Sequence, residues 1–354
     1  MSGKIRVLIV EDSALMRKIL GDIILSDPML EVVGNARTGR EAVEKITNLT
    51  PDVVTLDLNI PELDGLAVIE ETMKKCPTRF IMISAHTQQG ASSTIKALAA
   101  GAIDFIPKHS GEISLDMLKF SEEIITKIKM AAEVNLQDYL ANLKTTNSVC
   151  ATEKIVVPEL KKIVVIGAST GGPKIVLQIM RALPEDLPAA FLVVQHLPEG
   201  FTQSFAERIS WESRLKAKEV QDGDVVSANK VYVAAAGFHM VIEKRAAAAG
   251  AELLLRLNKN PMVNFVRPSI TVTMDSAAQV FCPDVIGVIL TGMGKDGLEG
   301  ARVIKERGGK IFAQDQATST IFGMPKAVIN GGLADKVLPA DEIAAEIVRA
   351  IKGA

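Results

Sequence analysis

The chain has 354 residues, of which 48% are hydrophobic and 23% charged, and it carries a net charge of -2 at neutral pH. That length exceeds one ordinary core and predicts two domains, while the near-neutral charge excludes the basic footprint of a nucleic-acid binder. Ile5 to Val10 is too short an apolar run for a secretory signal, and no run reaches membrane-spanning length, so a cytoplasmic protein that is not inserted in a membrane is expected.

Apolar runs alternate with helical periodicity along the chain, which is the pattern of parallel α/β sheets. Residues 1 to 125 contain five strand–helix units, with strands expected at Ile5–Val10, Val32–Gly34, Val53–Leu56, Phe80–Ile83 and Ile103–Ile106. Residues 126 to 158 lose strand character and carry the polar cluster Thr145-Thr146-Asn147-Ser148, the composition of a linker. A second alternating pattern occupies residues 159 to 354 and closes on a helix over Asp341–Lys352; it predicts a doubly wound, mostly parallel α/β domain. Three widely spaced cysteines, Cys76, Cys150 and Cys282, have no metal-ligand spacing and read as small buried hydrophobes in a reducing compartment.

In the first domain Glu11 and Asp12 follow the first strand and Asp57 ends the third. Open parallel sheets bind ligands outside the carboxyl ends of their strands, so folding brings these three acids to one edge. Like charges so placed repel unless a cation shares them, and a hard oxygen site of this kind suits Mg²⁺. Ser84 and Lys108 end the fourth and fifth strands and add a hydroxyl and an ammonium at the same edge. A carboxylate nucleophile, a divalent metal and phosphoryl-binding donors together describe an aspartyl-phosphate site.

The segments VLIVEDSALMR, VVTLDLNIPELDG, IMISA and GAIDFIPK resemble a response-regulator receiver domain, a flavodoxin-like five-stranded parallel fold. The resemblance implies that Asp57 is the phospho-acceptor and that Glu11, Asp12, Asp57 and the backbone carbonyl of Asn59 hold Mg²⁺. It further implies that Ser84 and Lys108 contact the phosphoryl group and that Phe105 is a rotating aromatic switch.

Two glycine loops stand out in the second domain. LTGMGKDGLEG holds a G-x-G-x-x-G at Gly292, Gly294 and Gly297, with Asp315 at the end of the next strand where a ribose-binding acid would sit. Asp296 lies inside that motif at the mouth of a helix, where a carboxylate would repel a pyrophosphate, and this argues against a dinucleotide site. The other loop, Gly167-Ala168-Ser169-Thr170-Gly171, presents a serine between a strand and a helix.

A serine nucleophile needs a base. His86 and His109 belong to the first domain. His196 ends the strand Phe191–Gln195 on the carboxyl edge shared with Ser169, whereas His239 precedes the strand Met240–Glu243 and is expected at the opposite edge as a structural or surface residue. Of the acids at the carboxyl edge, Asp296 is preferred over Asp315 because its glycine-rich loop can also offer N–H groups to an oxyanion; Asp284 precedes its strand. The order Ser169, His196, Asp296 is not that of an α/β-hydrolase, which runs Ser, Asp, His, but the same geometry recurs on unrelated folds. Arg267-Pro268-Ser269 and Gln314-Asp315-Gln316 remain open between groove-lining and structural-loop roles.

IGASTGGP, VVQHLPEGFTQSFAERI, NFVRPSITVTMDS, ILTGMGKDGLEGA and AQDQATSTIFGMPKAV resemble the catalytic domain of the chemotaxis protein-glutamate methylesterases. The resemblance implies Ser169 as nucleophile, His196 as base, Asp296 as its partner and the Met293 N–H as oxyanion donor. It implies methylated chemoreceptors as substrate, a chemotaxis histidine kinase as phosphodonor and no cofactor for ester hydrolysis. It also implies that an unphosphorylated receiver packs over the esterase cleft and is released on phosphorylation. The same acyl-enzyme route allows deamidation of receptor glutamines, an activity of related enzymes.

Overall fold

The computed structural model describes residues 3–85, 88–108, 116–136, 159–247 and 250–353. The chain forms two compact units, Met1–Leu143 and Lys144–Ala354. Most of the expected linker (137–158), together with His86, His109 and Cys150, lies outside the described residues.

The first unit runs β1 (Ile5–Val10), α1 (Ala14–Leu25), β2 (Leu30–Ala36), α2 (Gly39–Leu49), β3 (Val53–Asp57), α3 (Gly65–Lys75), β4 (Arg79–Ala85), α4 (Gln88–Ala100), β5 (Asp104–Lys108) and α5 (Asp116–Glu133). Its sheet has the order β2-β1-β3-β4-β5, with every pairing parallel. Helices cover both faces, so Val7 to Val10 and Val53 to Leu56 are buried without a break, as continuous apolar strands require. Ser13, Thr38 and Asp64 each turn a side-chain oxygen to the first free N–H groups of α1, α2 and α3 and start those helices. The helix α5 continues past residue 125 to Glu133.

The second unit runs β6 (Lys162–Ala168), α6 (Gly172–Ala182), β7 (Ala189–Gln195), α7 (Phe201–Glu212), β8 (Lys216–Glu219), β9 (Asp224–Val225), β10 (Lys230–Val233), β11 (His239–Ala247) and β12 (Gly250–Asn258). It continues with α8 (Ile270–Phe281), β13 (Val285–Ile289), α9 (Leu298–Glu306), β14 (Lys310–Gln314), α10 (Met324–Asn330), β15 (Lys336–Leu338) and α11 (Ala340–Lys352). Seven strands make one parallel sheet, β15-β14-β13-β6-β7-β10-β8. The chain builds outward from β6 through β7 and then returns to lay β13 on its other side. The carboxyl ends of β6 and β13 therefore flank a topological switch point, the usual ligand crevice of such sheets.

The strands β11, β12 and β9 form a separate antiparallel sheet. This overturns the placement of His239 at the far edge of the main sheet, because its strand belongs to a different sheet. Cys76 and Cys282 are free and only half-buried, more accessible than the core role expected of them.

Candidate active site

Three loops meet at the switch point. Ser169 leaves β6 and donates its N–H to the Thr291 carbonyl beyond β13 (3.0 Å), while its own carbonyl accepts from Gly172 N (2.8 Å) and from Gln195 Nε2 (2.9 Å). His196 leaves β7 and donates its N–H to the Ala168 carbonyl (3.0 Å), one residue before the serine. Gly292 follows Thr291, and a Cβ there would stand 2.7 Å from Ser169 Cβ and 2.6 Å from Met324 Sδ. Only a glycine lets the β13 loop come this close to the serine.

His196 Nε2 lies 3.0 Å from Asp296 Oδ2. With Nε2 turned to the carboxylate, Nδ1 is the ring nitrogen left to take a proton. Ser169 and His196 are both partly exposed, and among the described residues the serine hydroxyl is not hydrogen-bonded to the ring. The structure thus joins His196 to Asp296 through side chains, and the Ser169 loop to the His196 and β13 loops through the backbone.

The carboxylate of Asp296 is 3% exposed and carries more partners than the sequence suggests. Oδ1 accepts from Asn264 Nδ2 (3.0 Å), Ser269 Oγ (2.7 Å), Thr271 N (3.3 Å) and Gly297 N (3.0 Å); Oδ2 accepts from Ile270 N (2.7 Å) as well as from His196. Burial alone would raise its pKa, but the hydrogen bond and charge of His196 and the bonds from Ser269 and Ile270 outweigh it and hold the carboxyl well below the usual carboxylate range. Ile270 and Thr271 open α8, so the carboxylate sits at that helix's N-terminus, where the dipole favours an anion. The helix mouth filled by Asp296 is therefore that of α8, not of the helix that follows its own loop.

His239 enters the same network from behind. It is fully buried; Nε2 donates to the Pro261 carbonyl (3.1 Å), and Nδ1 accepts from Ser269 N (3.2 Å), which requires the neutral ring. Burial pushes its pKa down and favours that form. His239 is thus buried and hydrogen-bonded, and its partner Ser269 also bonds Asp296.

Ser269 and Gln314 are buried rather than lining a groove. Gln314 Oε1 accepts from Thr291 N (2.8 Å) and braces the loop beside the serine. Asp315 Oδ1 accepts from Thr318 N and Oγ1 (2.9 and 2.6 Å), a local turn that occupies the acid the dinucleotide motif would need. The Met293 N–H, expected as an oxyanion donor, has no acceptor among the described residues.

At the carboxyl edge of the first unit, one oxygen from each of Glu11, Asp12 and Asp57 lies within 4.8 Å of the others. Lys108 Nζ reaches Asp57 Oδ2 (2.6 Å) and Glu11 Oε2 (2.9 Å). Burial disfavours the ammonium, but Asp57 and Glu11 outweigh it and raise its pKa; burial also raises that of Glu11. Three carboxylates against one ammonium leave an excess of negative charge suited to a divalent cation. Asn59 N caps Asp57 Oδ1 (3.1 Å). The Ser84 hydroxyl accepts from Thr94 Oγ1 (2.6 Å), and the Phe105 ring is buried, with Lys127 Nζ 5.5 Å from its centroid.

Comparison with known proteins agrees with this division. The family described as "CheB methylesterase" matches residues 164–347, and the "Response regulator receiver domain" family matches residues 7–117. A Pyrococcus abyssi protein named "Protein-glutamate methylesterase/protein-glutamine glutaminase" is 49% identical, with 99% of this chain and 94% of that protein covered. A Thermotoga maritima protein of the same name is 44% identical over 98% of each chain. The crystal structure of the Thermotoga maritima CheB methylesterase catalytic domain superposes with a TM-score of 0.51 at 44% identity, covering 55% of this chain and 98% of that one.

Proposed function

The chain belongs to the CheB methylesterase family, a receiver joined to a methylesterase domain, and from that premise we propose a phosphorylation-activated serine esterase that hydrolyses glutamate γ-methyl esters on chemoreceptors. The observation that carries the proposal is the pairing of His196 with Asp296 at the sheet edge from which Ser169 emerges.

Ser169 Oγ attacks the ester carbonyl carbon as His196 Nδ1 takes its proton. The negative charge on the carbonyl oxygen is met by the Met293 N–H, and one such donor contributes about 3–4 kcal/mol to lowering the barrier. Collapse breaks the bond to methoxide, which leaves as methanol with the proton from His196. Water, deprotonated by the same ring, then cleaves the glutamyl-serine ester and restores the hydroxyl. Asp296 keeps the ring in the tautomer with Nε2–H and stabilises the imidazolium. An amide substrate follows the same route with ammonia leaving, so glutamine deamidation is part of the proposal.

In the receiver, Asp57 accepts a phosphoryl group from a chemotaxis histidine kinase. Glu11, Asp12, Asp57 and the Asn59 carbonyl would hold Mg²⁺, which would supply positive charge at the phosphorylation site. Ser84 and Lys108 turn to the phosphoryl group, and Phe105 reports the change; this bias between two states raises the esterase activity. The linker joins the receiver, whose last helix α5 ends at Glu133, to an esterase domain at 159–354, and the protein acts in the cytoplasm. Among the described residues no helix is long and apolar enough to cross a membrane.

Methanol release from methylated receptor membranes, with and without a phosphodonor, tests the proposal. Wild type is expected to release methanol faster with the phosphodonor, Asp57→Asn to lose that increment, and Ser169→Ala to release none. Release by Ser169→Ala at the wild-type rate would overturn the assignment of the nucleophile.

A further inference from the structure

Phe265 is 97% exposed and stands at the tip of a two-residue turn closed by Val263 and Val266, each bonded to the other's carbonyl (3.3 and 3.1 Å). Both turn residues have positive φ, 53° at Asn264 and 64° at Phe265. Asparagine is at home in that region, but a bulky aromatic there is an outlier. An exposed ring on a strained backbone contributes nothing to the fold that glycine would not supply better.

The turn is nonetheless tied down. The Asn264 side chain donates to the catalytic carboxylate of Asp296 (3.0 Å), and Arg267 Nη1, just beyond the turn, donates to the Lys259 and Asn260 carbonyls (3.0 Å each). The backbone that carries the aromatic ring is therefore anchored beside Asp296. Met293 adds a second exposed apolar side chain, 57% accessible, on the loop whose Gly292 abuts Ser169. One apolar group stands beside the acid and the other beside the nucleophile.

Resting on the function proposed above, we infer that Phe265 is a specificity-determining residue. It docks against an apolar side chain of the receptor segment that carries the glutamate ester. A γ-methyl ester is too small to reach a ring outside the crevice, so the occupant is the protein around it. Rigid aromatics that lose little entropy on contact are the usual anchors of such interfaces. Asn264 has two tasks in this arrangement: it adopts the left-handed backbone of the turn and links the docking tip to the acid.

The test is steady-state methanol release from methylated receptor membranes by the full chain carrying Phe265→Gly or Phe265→Leu. Glycine suits the positive φ and keeps the turn folded. The expected result is a KM raised about tenfold or more by Phe265→Gly with kcat largely kept, and substantial recovery by Phe265→Leu. In the inactive Ser169→Ala background, Phe265→Gly should also weaken co-sedimentation with receptor membranes. An unchanged KM and unchanged co-sedimentation would overturn the inference. So would a loss confined to kcat, or a rise in activity without phosphodonor, which would place the ring against another part of this chain. Inactivity of Ser169→Ala alongside an unaffected Phe265→Gly would leave the esterase reading standing and remove only the docking role.

Discussion

Replacing Asp296 by asparagine changes one atom at the centre of the site. The carboxylate accepts six hydrogen bonds, four on Oδ1 and two on Oδ2. An amide keeps only one oxygen, and the four donors around Oδ1 outnumber the two around Oδ2. In Asp296→Asn the amide oxygen should therefore take the Oδ1 position and the NH₂ the Oδ2 position. That NH₂ faces the Ile270 N–H, which loses its acceptor in a buried setting at a cost of about 1–3 kcal/mol. It also faces His196 Nε2, which must become an acceptor, so the ring proton moves to Nδ1. A ring protonated at Nδ1 cannot take the Ser169 proton, and a tautomer change of this kind lowers kcat by about 10⁴. The measurements are kcat for methanol release and the urea unfolding midpoint. A kcat within tenfold of wild type, in a variant destabilised by about 1–3 kcal/mol, would refute the assignment of Asp296 as the orienting acid. Stability also has a predicted pH signature. A carboxyl whose folded pKa is depressed stabilises the fold above the unfolded value of about 3.9, and that contribution fades as pH falls through the lower folded value. Wild type should therefore lose stability on acidification below about pH 4 more steeply than Asp296→Asn.

Gly292→Ala would place a methyl group against Ser169 Cβ and Met324 Sδ; a stability loss of about 1–3 kcal/mol and a fall in kcat of about a hundredfold are expected, read by urea unfolding and methanol release. Lys108→Met leaves the buried Glu11 and Asp57 without their ammonium, so the receiver should lose about 3 kcal/mol and MgCl₂ should raise its melting temperature by more than it raises that of wild type. Burial lowers the Lys174 ammonium to about 7. Between that value and the unfolded pKa of about 10.4 the unfolded chain binds the extra proton, so stability should rise with pH by up to about 1.4 kcal/mol per unit. Urea midpoints of wild type between pH 7 and 10 should show that rise, and Lys174→Met should flatten it.

The strands that carry the chemistry were legible because both faces of a parallel sheet are covered. Val53–Leu56, with Thr55 its one polar residue, and Val285–Ile289 read as buried strands, and Asp57, directly after Leu56, falls at the carboxyl edge. Ser169 and His196 could thus be brought to one edge from strand ends alone, as could Glu11, Asp57 and Lys108, whereas Asp296, seven residues beyond β13, needed the glycine-loop argument to be preferred over Asp315. That rule assumes that every strand joins the same sheet. The long hairpin of β11 and β12, which carries the charged run Glu243-Lys244-Arg245, does not, and His239 was misplaced for that reason. The G-x-G-x-x-G at Gly292–Gly297 misleads in a related way: the motif records local backbone freedom, which here serves close approach to a serine.

The support of Asp296 had no sequence signal of its own. Asn264, Ser269 and the first N–H groups of α8 lie 25 to 32 residues before the acid, and no periodicity links them to it. Their role follows from electrostatics once the fold is known. A carboxylate that is 3% exposed needs its charge compensated, and the His196 ring offers one N–H. The other five donors come from a helix mouth, its cap, a turn and the acid's own loop, which together let the anion stay buried while one oxygen remains directed at His196. A site that needs only that oxygen for orientation still requires the whole shell, so substitutions at Asn264 or Ser269 act on the base through the acid. The shell extends to the exposed turn bearing Phe265, which makes the catalytic carboxylate the point where the base, α8 and the proposed receptor contact are joined.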